Sequence, residues 1–392
     1  MSELINTAPS IQHKVILPPS AIGILGGGQL GRMMALSARE MGYHVVTLDP
    51  TQNSPCGQVA DKQITASFDS LEGARLLACE VDVLTYEFEN ISAEVANQLE
   101  LNSYLPQGYR LLYTTQNRIR EKAAIESAGV AVAPYVPVRS VDDLRHGLAC
   151  LGRPALLKTA EGGYDGKGQF VLSSARDVAE AEGRVRAAKR EWVLEQFVPF
   201  VKELSVIVAR NPQGELKTFP VAENIHCDNI LHLSMAPARV SEAIKQQAEA
   251  IAVKLAEAFQ LVGLLAIELF LLDNGQLLVN ELAPRPHNSG HYTQQACRTS
   301  QFEQHVRAVC NLPLADTTLI QPTVMVNILG EHLAAVLDVL PQLDPSFKLH
   351  LYGKKEAKPK RKMGHLNVMA DDPSQALAKI KALKIWNMEG IE

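Results

Sequence analysis

Several features are missing from this chain, and each absence narrows the reading. Its six cysteines (Cys56, Cys79, Cys150, Cys227, Cys297, Cys310) are widely spaced, with no Cys-x-x-Cys or Cys/His metal pattern. A disulfide scaffold and a zinc ribbon are excluded, and the thiols are expected to be reduced and structural. No apolar run approaches the roughly 20 residues of a membrane-spanning helix. Met1–Pro19 lacks the basic start and continuous apolar stretch of a secretory signal, so a cytoplasmic, membrane-free location is expected. There is no basic excess: 38 Lys and Arg stand against 43 Asp and Glu, a formal charge of −5. A general nucleic-acid binder is therefore not expected. The GxxxxGK[ST] phosphate loop is absent as well.

What is present suits a globular, multidomain protein. Hydrophobic residues make up 46% of 392, enough for substantial cores, and roughly 150 residues per domain gives two or three domains. Ala21–Leu25 reads as a strand, Gln29–Met41 as a helix and Tyr43–Leu48 as a second strand, a parallel βαβ opening. Between strand and helix lies Gly26-Gly27-Gly28-Gln29-Leu30-Gly31, a GxGxxG match, with Asp49 where a ribose-binding acid would fall. It reads either as a dinucleotide-phosphate loop or as a tight turn that binds no dinucleotide. A third βα unit is expected around Val81–Tyr86, followed by Glu87-Phe88-Glu89-Asn90 at the sheet edge where open α/β folds bind ligands. Solvated turn acids are the alternative. Thr114–Ala128 reads as one helix carrying Arg118, Arg120, Glu121 and Lys122.

The central segment is richer in chemistry. Ala155–Thr159 ends a strand at Lys158, and Glu161–Gln169 holds four glycines and Lys167 before β character resumes at Phe170–Leu172. Such a loop can bring backbone donors close to phosphate while the lysines offset its charge; a flexible hairpin is the alternative. Glu195 on a strand could accept from an exocyclic amine, and Glu203 from a ribose hydroxyl, unless both are surface acids. His226 suits either a phosphate contact or a structural hydrogen bond. Ser241–Phe259 is a long amphipathic helix. Glu268 interrupts an apolar strand, where an unpaired carboxylate is costly. Antiparallel pairing about the Asp273-Asn274-Gly275 turn brings Glu281, with Asn280, beside it: two carboxylates and an amide suited to Mg²⁺ and phosphate oxygens, or separate structural ion pairs. Pro284-Arg285-Pro286-His287-Asn288-Ser289 reads as a rigid wall for an anionic ligand. Lys348–His365 has seven Lys and Arg against one Glu, a basic stretch that could be a solvated tail or bind RNA.

These segments together resemble the ATP-grasp superfamily, and within it the carboxylating ligases of purine synthesis that act on aminoimidazole ribonucleotide. The resemblance rests on GILGGGQLGRMM (Gly23–Met34), TYEFENI (Thr85–Ile91), KTAEGGYDGKGQ (Lys158–Gln169), EQFV (Glu195–Val198), NELAPRPHNSGH (Asn280–His291) and KMGHLNV (Lys362–Val368). It implies α/β and α+β domains: a leader over 1–20, a Rossmann-like preATP-grasp domain over 21–125, an ATP-grasp domain over 126–315 with a lid near 129–196, and a small C-terminal domain over 316–392. It argues against the dinucleotide reading. ATP contacts are implied for Arg118, Lys158, Gly163, Tyr164, Asp165, Gly166, Lys167, Gly168, Gln169, Glu195, Gln196, Phe197, Val198, Glu203, His226, Asn280 and Glu281. Mg²⁺, or Mn²⁺ in its place, would be held by Glu268 and Glu281. The ribonucleotide would meet Glu87, Arg285, His287, Asn288 and Ser289, with Lys354 and Arg361 at its phosphate. Lys158, Asp165, Lys167 and Arg285 would serve the chemistry, and a homodimer is implied. The expected reaction is ATP- and bicarbonate-dependent carboxylation of the ribonucleotide's amine. A formate- or amino-acid-using ATP-grasp ligase and a nonenzymatic nucleotide-binding module are the alternatives. The family's Arg-Pro-Gly-Arg pattern is replaced by Lys358-Pro359-Lys360-Arg361, which puts that loop's path in question.

Overall fold

The structure, a computed structural model, describes residues 14–162, 168–188 and 190–391. The first unit comprises β1 (Ala21–Leu25), α1 (Gln29–Glu40), β2 (His44–Leu48), β3 (Lys62–Ile64), α2 (Leu71–Cys79), β4 (Val83–Tyr86) and α3 (Ala93–Asn102). Its strands form a parallel sheet in the order β3-β2-β1-β4. Ile22, Ile24 and Leu25 are all buried, because a parallel sheet is covered on both faces, and this is why β1 reads as an unbroken apolar run. The strand expected as the third is the fourth: the three-residue β3, Lys-Gln-Ile, is too short to show a period. The last residues of the expected leader belong to the fold, since the Ile16 N–H donates to the Cys310 carbonyl at 3.0 Å and the Tyr43 hydroxyl to the Ile16 carbonyl at 2.7 Å.

The single helix expected over Thr114–Ala128 is broken in two, α4 (Arg110–Thr115) and α5 (Arg118–Ser127). Asn117 is extended, and its side-chain oxygen accepts from the Ile119 and Arg120 N–H groups, an N-cap that competes with continuous helix. The new start makes Arg118 the first helical residue and puts Lys122 one turn below it on the same face.

A four-stranded sheet with two helices follows, where the lid is expected: β5 (Tyr135–Val138), α6 (Val141–Leu151), β6 (Ala155–Thr159), β7 (Gln169–Leu172), α7 (Ala175–Ala187) and β8 (Trp192–Gln196), with sheet order β5-β8-β6-β7. Both helices begin in capping boxes, Ser140 with Asp143 and Ser174 with Asp177, and pack Leu144, Ala181 and Val185 against Leu157, Leu172 and Leu194.

The remainder is β9 (Lys202–Arg210), β10 (Leu216–Thr218), β11 (Ala222–Cys227), β12 (Ile230–Ala236), α8 (Glu242–Ala258), β13 (Gly263–Leu271), β14 (Leu277–Ala283), α9 (Thr293–Ala296), α10 (Gln301–Val309), β15 (Thr323–Leu329), α11 (Leu333–Val339), β16 (Phe347–Leu351), β17 (Lys362–Met369) and α12 (Pro373–Ala382). Its strands make one sheet, ordered β14-β13-β9-β11-β12-β15-β17-β16, with β10 beside β9. The C-terminal strands therefore extend the central sheet: β15 pairs with β12, Leu233 opposite Val326. Helix α8 covers the β9–β13 face through Ala248, Ala252 and Leu255. Helix α10 joins this body to the first unit, placing Phe302, Val306 and Val309 in one core with Ile22, Met33 and Met34.

Replacing Asn117 with Ala is expected to lower stability by about 1 kcal/mol, the usual value of such a cap, measured by guanidinium unfolding followed by circular dichroism.

Candidate active site

The carboxylate pair forms as its spacing predicts. Glu268 on β13 stands opposite Glu281 on β14, with a register shift just beyond Glu268. The Asn280 amide donates to Glu268 Oε2 at 3.4 Å, and Arg118 Nη1 lies 3.1 Å from Glu281 Oε2. Burial pushes the Glu268 carboxyl above its ordinary value and the facing Glu281 charge adds to this. Burial acts the same way on Glu281, but Arg118 outweighs it and holds that carboxyl down. The Asn280 side-chain oxygen is buried with no hydrogen-bond partner. Among the described residues no group of three or more His, Cys, Asp or Glu side chains is arranged to hold a metal. Two carboxylates and a spare amide oxygen nevertheless suit a hard cation whose other ligands are phosphate oxygens and water.

The side that the sequence reading gives to the nucleotide has Glu195 at its centre. Its Oε2 is 2.8 Å from Lys158 Nζ and its Oε1 is 3.3 Å from Lys122 Nζ, with Lys122 and Glu195 at 1% and 2% side-chain exposure. Lys158 and Glu195 meet because Glu195 pairs across from Leu156, which shares a sheet face with Lys158 two residues on. Burial alone would raise the Glu195 carboxyl, but Lys122 and then Lys158 draw it down to about 2. Burial also lowers the Lys158 ammonium below its ordinary value, with Glu195 opposing. Both Glu195 oxygens thus carry lysine partners, and an exocyclic amine would use the remaining lone pairs. Sequence reasoning treated Lys122 only as part of a charged helix. The usable signal was its four-residue spacing from Arg118, visible once Asn117 is taken as a cap.

Gln169 pairs with Lys158 across β7 and β6, and the Thr159 N–H donates to the Gly168 carbonyl at 2.9 Å. Gly163, Tyr164, Asp165, Gly166 and Lys167 lie outside the described residues. Gln196 and Phe197 are exposed and Val198 is buried, with the Phe197 N–H donating to the Pro154 carbonyl at 3.4 Å. Glu203 Oε2 lies 2.9 Å from His226 Nδ1. Burial alone would lower that imidazole, but Glu203 and Glu268 raise it.

The other side is walled by the Pro284–Ser289 segment. Arg285 makes a two-pronged pair with Glu89, Nε to Oε2 at 2.9 Å and Nη2 to Oε1. Glu87, placed with Arg285 by the sequence reading, does lie within electrostatic reach of it, and its carboxylate bonds to the glycine turn of the first unit. It accepts from the Gly28 N–H and, at 2.6 Å, from the Gly31 N–H. Asp49 accepts from the Gly27 N–H at 2.9 Å. The protein's own carboxylates therefore occupy the donors a dinucleotide phosphate would need, and the dinucleotide reading is corrected on that ground. A Cβ at Gly28 would come within 2.6 Å of Glu87 Oε1, so that carboxylate would have to shift to admit one.

His287 Nδ1 lies 2.9 Å from Ser289 Oγ, and its Nε2 is 3.5 Å from Glu268 Oε1. Burial, then Arg285, pushes its pKa well below the ordinary value and keeps it neutral. Both polar atoms of the Asn288 amide are buried without partners, an open hydrogen-bonding cradle. Lys354 Nζ donates to the Lys362 carbonyl at 2.7 Å, while exposed Arg361 donates to the Glu356 carbonyl at 3.0 Å. Lys360, at the position of the resembled family's glycine, has φ +63°. The loop keeps the left-handed turn glycine would favour, at a cost in backbone strain.

The chain matches three family models in order: a ribonucleotide synthetase preATP-grasp domain at residues 20–111, an ATP-grasp domain at 123–302 and a phosphoribosylaminoimidazole carboxylase C-terminal domain at 323–379. With the small antiparallel sheet, the carboxylate pair and the buried lysines, these matches define an ATP-grasp protein. The N5-carboxyaminoimidazole ribonucleotide synthase of Bacillus subtilis (strain 168) is 52% identical over 370 residues, 94% of this chain and 97% of that protein. The chain belongs to that family. A crystal structure of an N5-carboxyaminoimidazole ribonucleotide synthetase with ADP aligns with TM-score 0.93 and 57% identity, covering 96% of this chain and 99% of that one. An Aspergillus clavatus synthase in complex with ADP and 5-aminoimidazole ribonucleotide aligns with TM-score 0.84 and 33% identity, covering 93% and 97%.

Lys122→Met leaves Glu195 with one cation. It is expected to raise the KM for ATP about tenfold, equivalent to ~1.4 kcal/mol, with the ribonucleotide KM within about twofold. Steady-state titration of each substrate checks the split.

Proposed function

We propose that the chain carries out its family's reaction, ATP- and bicarbonate-dependent carboxylation of 5-amino-1-(5-phospho-D-ribosyl)imidazole in purine synthesis. A bicarbonate oxygen attacks the γ-phosphoryl group, giving carboxyphosphate and ADP. The exocyclic amine then attacks the carboxyl carbon of carboxyphosphate, or of CO₂ released from it. The products are N5-carboxyaminoimidazole ribonucleotide, ADP and phosphate. The observation that carries this reading is a series of four polar pairs through the site, three between charged groups and one between neutral His287 and Glu268. Lys158 and Glu195 lead to Arg118 and Glu281, then to Glu268 and His287, and on to Arg285 and Glu89. Nucleotide and acceptor groups are thereby neighbours, as transfer between bound substrates requires.

Glu268 and Glu281, with Asn280, would hold Mg²⁺ or Mn²⁺, whose role when bound is to offset phosphate charge. Lys158 and Arg118 place positive charge where the phosphates lie, and Gly168–Gln169 flank them. Asn288, Ser289 and neutral His287 orient the ribonucleotide, and Lys354 and Arg361 receive its phosphate. Arg285, already neutralised by Glu89, serves as a fixed donor to the transferring carboxyl group. A homodimer belongs to the same reading and is tested by sedimentation. Among the described residues no helix is long and apolar enough to cross a membrane.

The deciding experiment supplies ATP, Mg²⁺, labelled bicarbonate and the ribonucleotide, and follows the label by mass spectrometry. Label in the ribonucleotide is expected; ATP turnover without labelled product would overturn the reading. Glu268→Gln and Glu281→Gln keep size and remove charge, and each should lower kcat at least about tenfold in a folded protein. Arg361→Ala should raise the ribonucleotide KM and leave that for ATP unchanged. Equal changes for both would remove Arg361 from the phosphate subsite.

A further inference from the structure

A buried hydrogen-bonded chain lies behind the acceptor side, reaching it at the Pro284 carbonyl and using none of the side chains assigned above. Thr85, on β4, donates its hydroxyl hydrogen to the side-chain oxygen of Gln107. The same oxygen accepts from the Tyr86 N–H at 3.4 Å, and the Gln107 amide nitrogen donates to the Pro284 carbonyl at 3.2 Å. These partners fix the amide's orientation, because a flipped Gln107 would set oxygen against the Pro284 oxygen and nitrogen against the Tyr86 N–H. With its hydrogen committed to Gln107, Thr85 Oγ1 accepts from His305 Nε2, 2.7 Å away on α10. Burial pushes the His305 pKa down to about 3, so the ring stays neutral and donates from Nε2 alone. Gly263, at the start of β13 with φ +96°, packs under both groups, and a Cβ there would lie 3.1 Å from His305 Cε1 and 3.3 Å from the Gln107 amide nitrogen.

The chain of bonds ends at informative places. Pro284 precedes Arg285, and Tyr86 precedes the loop that carries Glu87 and Glu89. Gln107 is thus bonded to both segments that meet in the Arg285–Glu89 pair, one from the first unit's sheet and one from the central body, 196 residues apart in sequence. A displacement of either segment would change where the Arg285 guanidinium points. The nucleotide groups (Lys122, Lys158, Glu195) are held by separate contacts in the lid and α5.

We infer that Gln107, with Thr85 and His305, is a positioning latch that sets the acceptor wall of the site for the ribonucleotide. This rests on the proposed function, and it assigns Gln107 no contact with substrate. The latch acts on one substrate only, which separates it from a general structural role.

Thr85→Val removes one hydroxyl at nearly constant shape, and Gln107→Leu removes the amide. Each is expected to raise the ribonucleotide KM about tenfold and leave the ATP KM within about twofold. Thr85→Ser, which restores the hydroxyl, should return the ribonucleotide KM to near wild type. The double variant should cost little more than Gln107→Leu alone, because groups in one hydrogen-bonded unit are not additive. Should Gln107→Leu fail to fold, Thr85→Val and its serine rescue decide the matter. Equal changes in both KM values, an unaffected Thr85→Val enzyme, or no rescue by serine would overturn the latch. Wild-type enzyme is run alongside with labelled bicarbonate. If it makes no labelled product, the proposed function fails, and calorimetric titration of the ribonucleotide into wild type and Thr85→Val judges the latch by itself: selective weakening supports it and equal affinity overturns it.

Discussion

Two like charges facing each other across β13 and β14 impose the constraint around which the rest of the site is arranged. Glu268 and Glu281 are opposed in register, so they cannot both stay ionised in a half-dry site without compensation. Arg118 compensates one of them at 3.1 Å, and that arginine is available only because Asn117 starts a new helix one residue earlier. Glu268 is left with a weak amide bond from Asn280 and with His287 at 3.5 Å. The deficit of positive charge at Glu268 leaves the pair short of a finished ion pair, and a hard cation is what the proposed function would supply there.

The same reasoning explains why charged groups alternate through the site. Burying an ion pair seldom adds stability, because desolvation consumes most of the Coulombic gain. A stretch of such pairs is therefore poorly explained as scaffolding. Glu195 with its two lysines is a buried cluster with a surplus of positive charge, which suits phosphate. Arg285 with Glu89 is closer to neutral and suits a weakly charged reacting group.

Much of this was legible in the sequence where local rules decide the geometry. The Asp273-Asn274-Gly275 turn, with Gly275 at φ +83°, sets the pairing that brings Glu268 to Glu281, and apolar patterning gave β1, α1, β2 and α8 to within a residue or two. What escaped depends on distant chain. Glu87 and Glu89 are two apart beyond the same strand, and nothing local says which turns back to Gly28 and Gly31 and which goes forward to an arginine 196 residues away. The helix over Thr114–Ala128 looked continuous because its composition is helical throughout. The Asn117 side chain, bonded to Ile119, Arg120 and, at 3.0 Å, Glu161, favours the break, and so does the Arg118 N–H, which donates to the distant Ala160 carbonyl at 2.9 Å.

The C-terminal strands contribute to the site by how they are joined to it. Residues 354–361 connect β16 to β17, and a loop hung on a separate sheet would leave its cations free to drift. Instead β17 is in the central sheet through β15, with Met325 opposite Asn367. Asn367 then donates to the His291 carbonyl at 2.9 Å and to Gln295 Oε1 at 2.6 Å, tying β17 to the segment that carries His287, Asn288 and Ser289. His350 on β16 reaches the same Gln295 oxygen at 3.1 Å. Both strands flanking the basic loop are thus anchored to one polar cluster beneath the acceptor wall. With its ends so fixed, the loop keeps a left-handed turn at Lys360 where glycine would be cheaper, and the Lys360 ammonium is held 2.9 Å from Asp228 on the turn between β11 and β12.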